Sequence, residues 1–336
     1  MQRHTAEVQP ETSRISGRID VIDIARGTAL VAMAIYHFGW DLEFFGYAPA
    51  GMTTETGWRL FARSIASSFL FLVGVSLVLA HGAGIRWPGF RKRFLQVVAA
   101  ALAITIATRI AVPEGFIFFG ILHQIAFASV AGLLFLRLPA LLILAVAASV
   151  IAAPHFLRSE AFDHPAFWWL GLSSRNPPSN DYVPVFPWFG AVLIGMAAAK
   201  LAQASGLFAR LEHVTPGRWS APLRFAGLHS LAVYLIHQPV LIGLVFLATM
   251  VVPPPAPDRA AEFTHSCEAQ CASQRDEPFC ISYCACMLTS LQSDNRLEDI
   301  YGQPAETSTP PWLDEMAWQC ALESDRSSGD EAESGG

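Results

Sequence analysis

The chain predicts an all-α polytopic membrane protein, with about seven transmembrane helices and a small Cys-rich α-hairpin tail. Three observations carry this. First, 53% of the 336 residues are hydrophobic and only 15% are charged, a balance that excludes an ordinary soluble enzyme. Second, seven apolar stretches reach or approach the ~20 residues that cross a hydrocarbon core of about 30 Å. Third, charge is segregated. Residues 1–255 hold 18 Lys+Arg against 12 Asp+Glu, and residues 256–336 hold 4 against 16; all six cysteines lie in the second region.

The stretches run, in order, over 19–40, 58–80, 94–112, 116–136, 138–154, 184–203 and 225–252. The fifth is the shortest, at the lower limit for a span. Val112-Pro-Glu-Gly115 and Arg137-Leu-Pro139 read as tight turns. Residues 1–18 are polar and lack a short apolar core before a small-residue cleavage site, so no cleavable signal peptide is expected and the first span serves as its own insertion signal. No internal repeat is visible. The expected organisation is an N-terminal cytoplasmic segment (1–18), a transmembrane domain (19–252), a Pro-rich linker (253–258), an acidic Cys-rich module (259–322) and a disordered tail (323–336).

Basic residues set the orientation. Alternate flanks, from Arg3 through Arg93 and Arg137 to Arg224, hold twelve Lys or Arg, while the opposite loops hold only Arg158 and Arg175. The N-terminus is therefore expected in the cytoplasm and the cysteine-rich tail outside. An oxidising outer compartment suits an even number of cysteines.

The first span carries Asp20, Asp23, Arg26, His37 and Asp41 in or at the ends of its apolar run. A charge near the bilayer centre costs roughly 2.5–3.5 kcal/mol on insertion scales and is usually functional. Arg26 and His37 are separated by three helical turns, roughly 16 Å, and fall on nearly one face with Asp23 and Asp41. That spacing forms a polar seam through the membrane. Asp41, four residues after His37, is placed to bond one imidazole nitrogen and leave the other free as base or nucleophile. The plainer alternative is an interfacial histidine beside Trp40 in an aromatic belt. Arg59, Arg63 and Arg109 lie on the outer side, where they either snorkel to the interface or, for Arg63 and Arg109, face a central cavity.

At these residues the chain resembles the heparan-α-glucosaminide N-acetyltransferase catalytic-domain family, in its compact bacterial branch, within the wider membrane-bound acyltransferases that share an Arg-x10-His motif. The resemblance begins with Asp20-Val-Ile-Asp23-Ile-Ala-Arg26-Gly27, His37 and Trp40-Asp41-Leu42. It continues through Arg63-Ser-Ile-Ala-Ser-Ser-Phe-Leu-Phe-Leu-Val-Gly74, Phe119-Gly-Ile-Leu-His123-Gln-Ile, Asp181-Tyr-Val-Pro-Val-Phe-Pro-Trp188 and Ser230-Leu-Ala-Val-Tyr-Leu-Ile-His237-Gln-Pro239. It covers about residues 18 to 245 and leaves out the tail. It implies transfer of an acetyl group from cytoplasmic acetyl-CoA to an amino sugar, glycan or related acceptor on the other side. His37 would be the base or transient acetyl carrier, and Asp23 with Arg26 the charged pair where the donor enters.

The remaining candidates each have a structural alternative. His123 and His237 either contact substrate or are satisfied core histidines, with Tyr234 one turn from His237. Asp181 either orients the acceptor or caps a helix. Arg91 and Arg93, flanking Lys92, either bind donor phosphates or only set topology. In the tail, Cys267, Cys271, Cys280 and Cys284 form two i,i+4 pairs that suit an α-hairpin pinned by two disulfides, with Cys286 and Cys320 as a third pair. A zinc site using His265 is the rival. Pro253-Pro-Pro-Ala-Pro257 is a stiff spacer.

The expected protein is an integral inner-membrane acyltransferase that uses acetyl-CoA as co-substrate, with no bound cofactor or metal and no nucleic-acid partner. A proton-coupled carrier is the alternative, since intramembrane charges mark those too. The missing inverted repeat and the Arg26–His37 spacing weigh against it.

Overall fold

The computed structural model describes residues 19–256, 258–272, 275–301 and 310–334. The N-terminal segment 1–18, with Arg3, Arg14 and Arg18, lies outside the described residues, as does Pro257 of the linker. The chain divides into two compact units, Met1–Asp41 with Thr53–Val245 and Leu42–Met52 with Phe246–Gly336.

The first unit is helical throughout its long elements: α1 (Asp20–Phe44), α2 (Thr56–His81), α3 (Trp87–Ala111), α4 (Ile121–Ala131), α5 (Ala140–Leu157), α6 (Val185–Ala204), the short α7 (Leu207–Glu212) and α8 (Ala221–Leu228), and α9 (Ser230–Thr249). Six of these are long and apolar enough to cross a membrane, and α4 is a shorter apolar helix prolonged by a 3-10 turn to Phe135. The fold is thus an all-α polytopic membrane protein. Leu95, Leu102, Ile106 and Ile110 make an exposed apolar stripe along α3, as a lipid-facing surface requires.

The short span is the fourth and not the fifth. Helix α5 has 18 residues and a mean hydropathy of 2.3. The apolar run 116–136 overstates its helix because its first residues form loop. Thr105 Oγ1 donates to the Ile117 carbonyl, the Ile117 N–H donates to Thr108 Oγ1, and Gly120 is extended. Backbone bonds from Asn180 to Gly115 and from Val183 to Phe119 tie the starts of α4 and α6 together. Lys200 Nζ donates to the Leu136 carbonyl at the other end. The 15-residue segment thus runs beside α6 between these two ties, with the longer rise of its 3-10 turn adding to its length.

Leu70, Ile143, Val192, Leu193 and Met196 form a fully buried core where α2, α5 and α6 pack. Two helix crossings bring backbone against backbone through glycine. A Cβ on Gly74 would lie 2.0 Å from the Val192 carbonyl oxygen, and one on Gly195 2.1 Å from that of Phe71. Between α1 and α8, a Cβ on Gly27 would lie 2.0 Å from Leu223 O and one on Gly227 1.8 Å from Asp23 O. The second crossing fixes the backbone that carries Asp23 and Arg26.

The second unit contains α10 (Arg259–Cys271), α11 (Glu277–Ser293), α12 (Leu297–Tyr301) and α13 (Pro311–Ser334). Disulfides join Cys267 to Cys284 and Cys271 to Cys280 across the α10–α11 hairpin, and Cys286 to Cys320 between α11 and α13. Met287, Leu291, Met316 and Cys320 form a small core. Arg259, Arg275 and Arg296 lie over Tyr301, Phe279 and Trp312. The segment read as disordered, 323–336, is helical through Ser334. Its start is held by the Arg275–Asp325 ion pair and by a helix already anchored at Cys320, onto which further turns add without a new nucleus. The unit boundary falls at Val245–Phe246, ahead of the proline spacer.

Candidate active site

Helices α1, α2, α3, α4 and α9 line an open cavity of about 1370 Å3, larger than the 300–1,000 Å3 usual for a small-ligand site. Phe69, Val97, Leu122 and Ile125 supply apolar wall; Asp23, Arg26, Ser76, Arg86, Arg93 and Tyr234 supply polar groups. The basic groups belong to the loop side that holds the start of α1, the end of α2 and the start of α3.

Arg26 is gripped from two helices. Its Nη1 lies 2.7 Å from Asp23 Oδ1, one turn back on α1, and its Nη2 donates to Ser76 Oγ on α2 at 2.6 Å. The Asp23 side chain is 3% exposed and that of Arg26 21%. Charge-assisted bonds from a planar guanidinium hold its direction better than an ammonium would. The result is a fixed cation at the wall of the cavity, held by Ser76, which sequence reasoning missed. A lone serine in an apolar span carries no signal until its partner is known.

His37 does not line this cavity. It faces α9, where the His37 and His237 rings meet edge to face with centroids 5.0 Å apart. The expected His37–Asp41 bond is not what the structure forms. Asp41 is fully buried, and its Oδ1 accepts from Gln238 Nε2 at 2.7 Å. The i,i+4 spacing does put both residues on one face of α1, but that face packs on α9, whose neighbouring residues His237 and Gln238 each engage one of them. Gln238 is a second residue that sequence reasoning missed, although it stands inside the motif quoted around His237. Tyr234, one turn before His237, lines the cavity, and its ring centroid is 5.7 Å from that of His237. One turn of α9 therefore touches both the cavity and His37.

Among the other candidates, Arg93 lines the cavity and Arg91 does not; Arg86, not singled out by sequence, does. Arg63 and Arg109 are exposed and line no part of it. Arg109 instead lies over the Phe116 ring, 5.4 Å from its centroid, because α3 ends where its side chain reaches the loop. His123 bonds at both nitrogens, Nε2 to Thr105 Oγ1 at 3.1 Å and Nδ1 from the Gly120 N–H at 3.2 Å. Asp181 Oδ2 accepts from the Ile121 N–H at 2.9 Å and so sits at the N-terminus of α4; burial pushes its carboxyl up, and this hydrogen bond opposes the shift. Those two residues order the loops at the far end of α4 and do not touch the cavity.

Comparison with curated proteins returned no match, and neither did comparison with solved structures. One family model does match, over residues 18–239, described as heparan-alpha-glucosaminide N-acetyltransferase, catalytic. It spans well over half of the chain and takes in Asp23, Arg26, Ser76, His37, Asp41, His237 and Gln238. The chain belongs to this family of membrane acetyltransferases.

Proposed function

We propose that the protein transfers an acetyl group from acetyl-CoA, bound at the cavity from the cytoplasm, to an amino sugar, glycan or related acceptor reached from the opposite face of a bacterial inner membrane. One observation supports this most: α1 carries Asp23 and Arg26 at the wall of the cavity and His37 in contact with His237 of α9, and Tyr234 of α9 lines that same cavity. A donor whose anionic end meets Arg26, Arg86 and Arg93 extends its acyl arm along Tyr234 toward His37. Phosphates suit guanidinium groups, which present bidentate donors. His37 then serves as general base for the acceptor or as the transient acetyl carrier.

In this reading the N-terminus is cytoplasmic and the tail periplasmic, and residues 19–252 do the chemistry. The tail, acidic and pinned by three disulfides, acts as a docking or protective module on the outer face.

Proteoliposomes with glucosamine trapped inside and acetyl-CoA supplied outside test the proposal. Acetylated sugar should accumulate in the lumen, and only when acetyl-CoA is present. Acetyl-CoA consumption no faster than in empty vesicles, with amino-sugar and hydroxyl-sugar acceptors alike, would refute it.

A further inference from the structure

An imidazole that works as base or acyl carrier has a hydrogen on its second nitrogen during turnover, and that hydrogen needs a neighbour to hold or take it. Asp41 is engaged by Gln238. The group that meets the His37 ring is His237, 5.0 Å away between centroids and inclined by 61°.

The tautomer of His237 follows from its own hydrogen bond. Its Nδ1 lies 2.6 Å from the Tyr234 carbonyl oxygen. A carbonyl only accepts, so Nδ1 carries the hydrogen and Nε2 of the neutral ring carries a lone pair. That Nε2 is buried and has no hydrogen-bond partner. Buried acceptors are nearly always satisfied, and one that is not calls for an explanation. A buried lone pair beside a ring that must present an N–H supplies it. Asp41 Oδ2 and Gln238 Oε1 on the same two helices are also buried acceptors without partners, so this interface is short of donors and offers a carboxylate one helical turn from His37.

We propose that His237 is the proton-relay partner of His37: during acetyl transfer its Nε2 takes the hydrogen carried on the second nitrogen of His37. The inference rests on the assignment of His37 made above. When His37 bonds to the acetyl carbon, the thioester C–S bond breaks. The proton on the other His37 nitrogen passes to His237 Nε2 and then to the departing thiolate. Neutral acetyl-imidazole, free thiol and neutral His237 result. When His37 instead takes a proton from the acceptor, His237 Nε2 accepts the hydrogen bond of the imidazolium that forms.

The test is His237→Ala in the full chain, assayed for acetyl transfer with and without added imidazole, with His37→Gln alongside. The expected result is a fall in kcat of about 10²-fold, with KM for acetyl-CoA within about threefold of wild type. Imidazole should restore turnover at least about tenfold by filling the vacated space. His237→Asn, whose amide oxygen still accepts, should fall between the two and is read in the same way if the alanine variant does not fold. Turnover of a folded variant within about threefold of wild type would overturn the proposal. So would a loss carried by KM, or one that imidazole leaves unchanged. An inactive wild type or an active His37→Gln would count against the proposed function; a normal His237→Ala beside a dead His37→Gln overturns only the role of His237.

Discussion

Gly227→Ala is the substitution that reads the fold and the site together. The new Cβ would sit 1.8 Å from the Asp23 carbonyl oxygen, 2.6 Å from its carbonyl carbon and 3.1 Å from its Cα. Ordinary contact begins near 3.4 Å, so α1 and α8 must part by on the order of 1.5 Å; backbone, unlike a side chain, cannot rotate away. Overpacking of this kind costs about 1–3 kcal/mol. The displaced segment carries Asp23 and, one turn on, Arg26, and a misplacement of about 1 Å can cost about 10²-fold in rate. Thermal unfolding of the purified variant in detergent should show Tm lowered by several degrees, and acetyl transfer should fall further than that loss of stability explains. Gly243→Ala is the control. Nothing lies within 4 Å of its added Cβ, and alanine is a better helix former by about 1 kcal/mol, so stability and turnover should be kept or slightly raised. Wild-type Tm and turnover in Gly227→Ala would refute the close crossing and its link to the charged pair.

Ser76→Ala removes one of the groups that hold Arg26; a hydrogen bond to a charged group contributes about 1.5–3 kcal/mol, so the KM for acetyl-CoA should rise about tenfold with kcat little changed, and an unchanged KM would separate Arg26 from donor binding. Replacing Cys286 and Cys320 by serine opens a bridge of sequence separation 34, for which loop-closure entropy gives about 4 kcal/mol; hydrogen exchange of α11 and α13 should speed up while acetyl transfer stays normal. The Asp163 carboxylate accepts from Ser173 and Ser174, and these bonds hold its carboxyl below the usual carboxylate range. Its stabilisation is present above the unfolded value near pH 4 and lost as pH falls through the lower folded value, so Asp163→Ala should flatten the acid limb of a plot of Tm against pH, and an unchanged limb would contradict the hydrogen-bonded loop.

What was legible in the sequence follows from which physical signals are local. Apolar runs of span length are local, and the helices fall near those runs, although the run at 225–252 divides between the end of α8 and α9. The run at 116–136 misled because hydropathy does not distinguish a buried loop, held by Thr105 and Thr108, from a helix. Arg26 and His37 stand out in the sequence because a charged or titratable group in an apolar span is an anomaly wherever it occurs. The partners of those charges were not visible. Ser76 lies 50 residues from Arg26 and Gln238 lies 197 from Asp41, and nothing local assigns either contact. The same limit explains the misplaced partner of Asp41: i,i+4 geometry fixes which face a residue is on, while the neighbouring helix decides what it bonds. In the tail, composition argued for disorder at the acidic end, whereas the disulfide at Cys320 anchors a helix that composition alone would not sustain.

The central claim is that acetyl transfer runs through His37, and His37→Gln measures it most directly. Glutamine keeps much of the size and the hydrogen bonding but has no basic or nucleophilic ring nitrogen. The variant, reconstituted and shown by its Tm to be folded, should transfer acetyl groups from acetyl-CoA at least about two orders of magnitude more slowly than wild type. Near-normal transfer by His37→Gln would contradict the account.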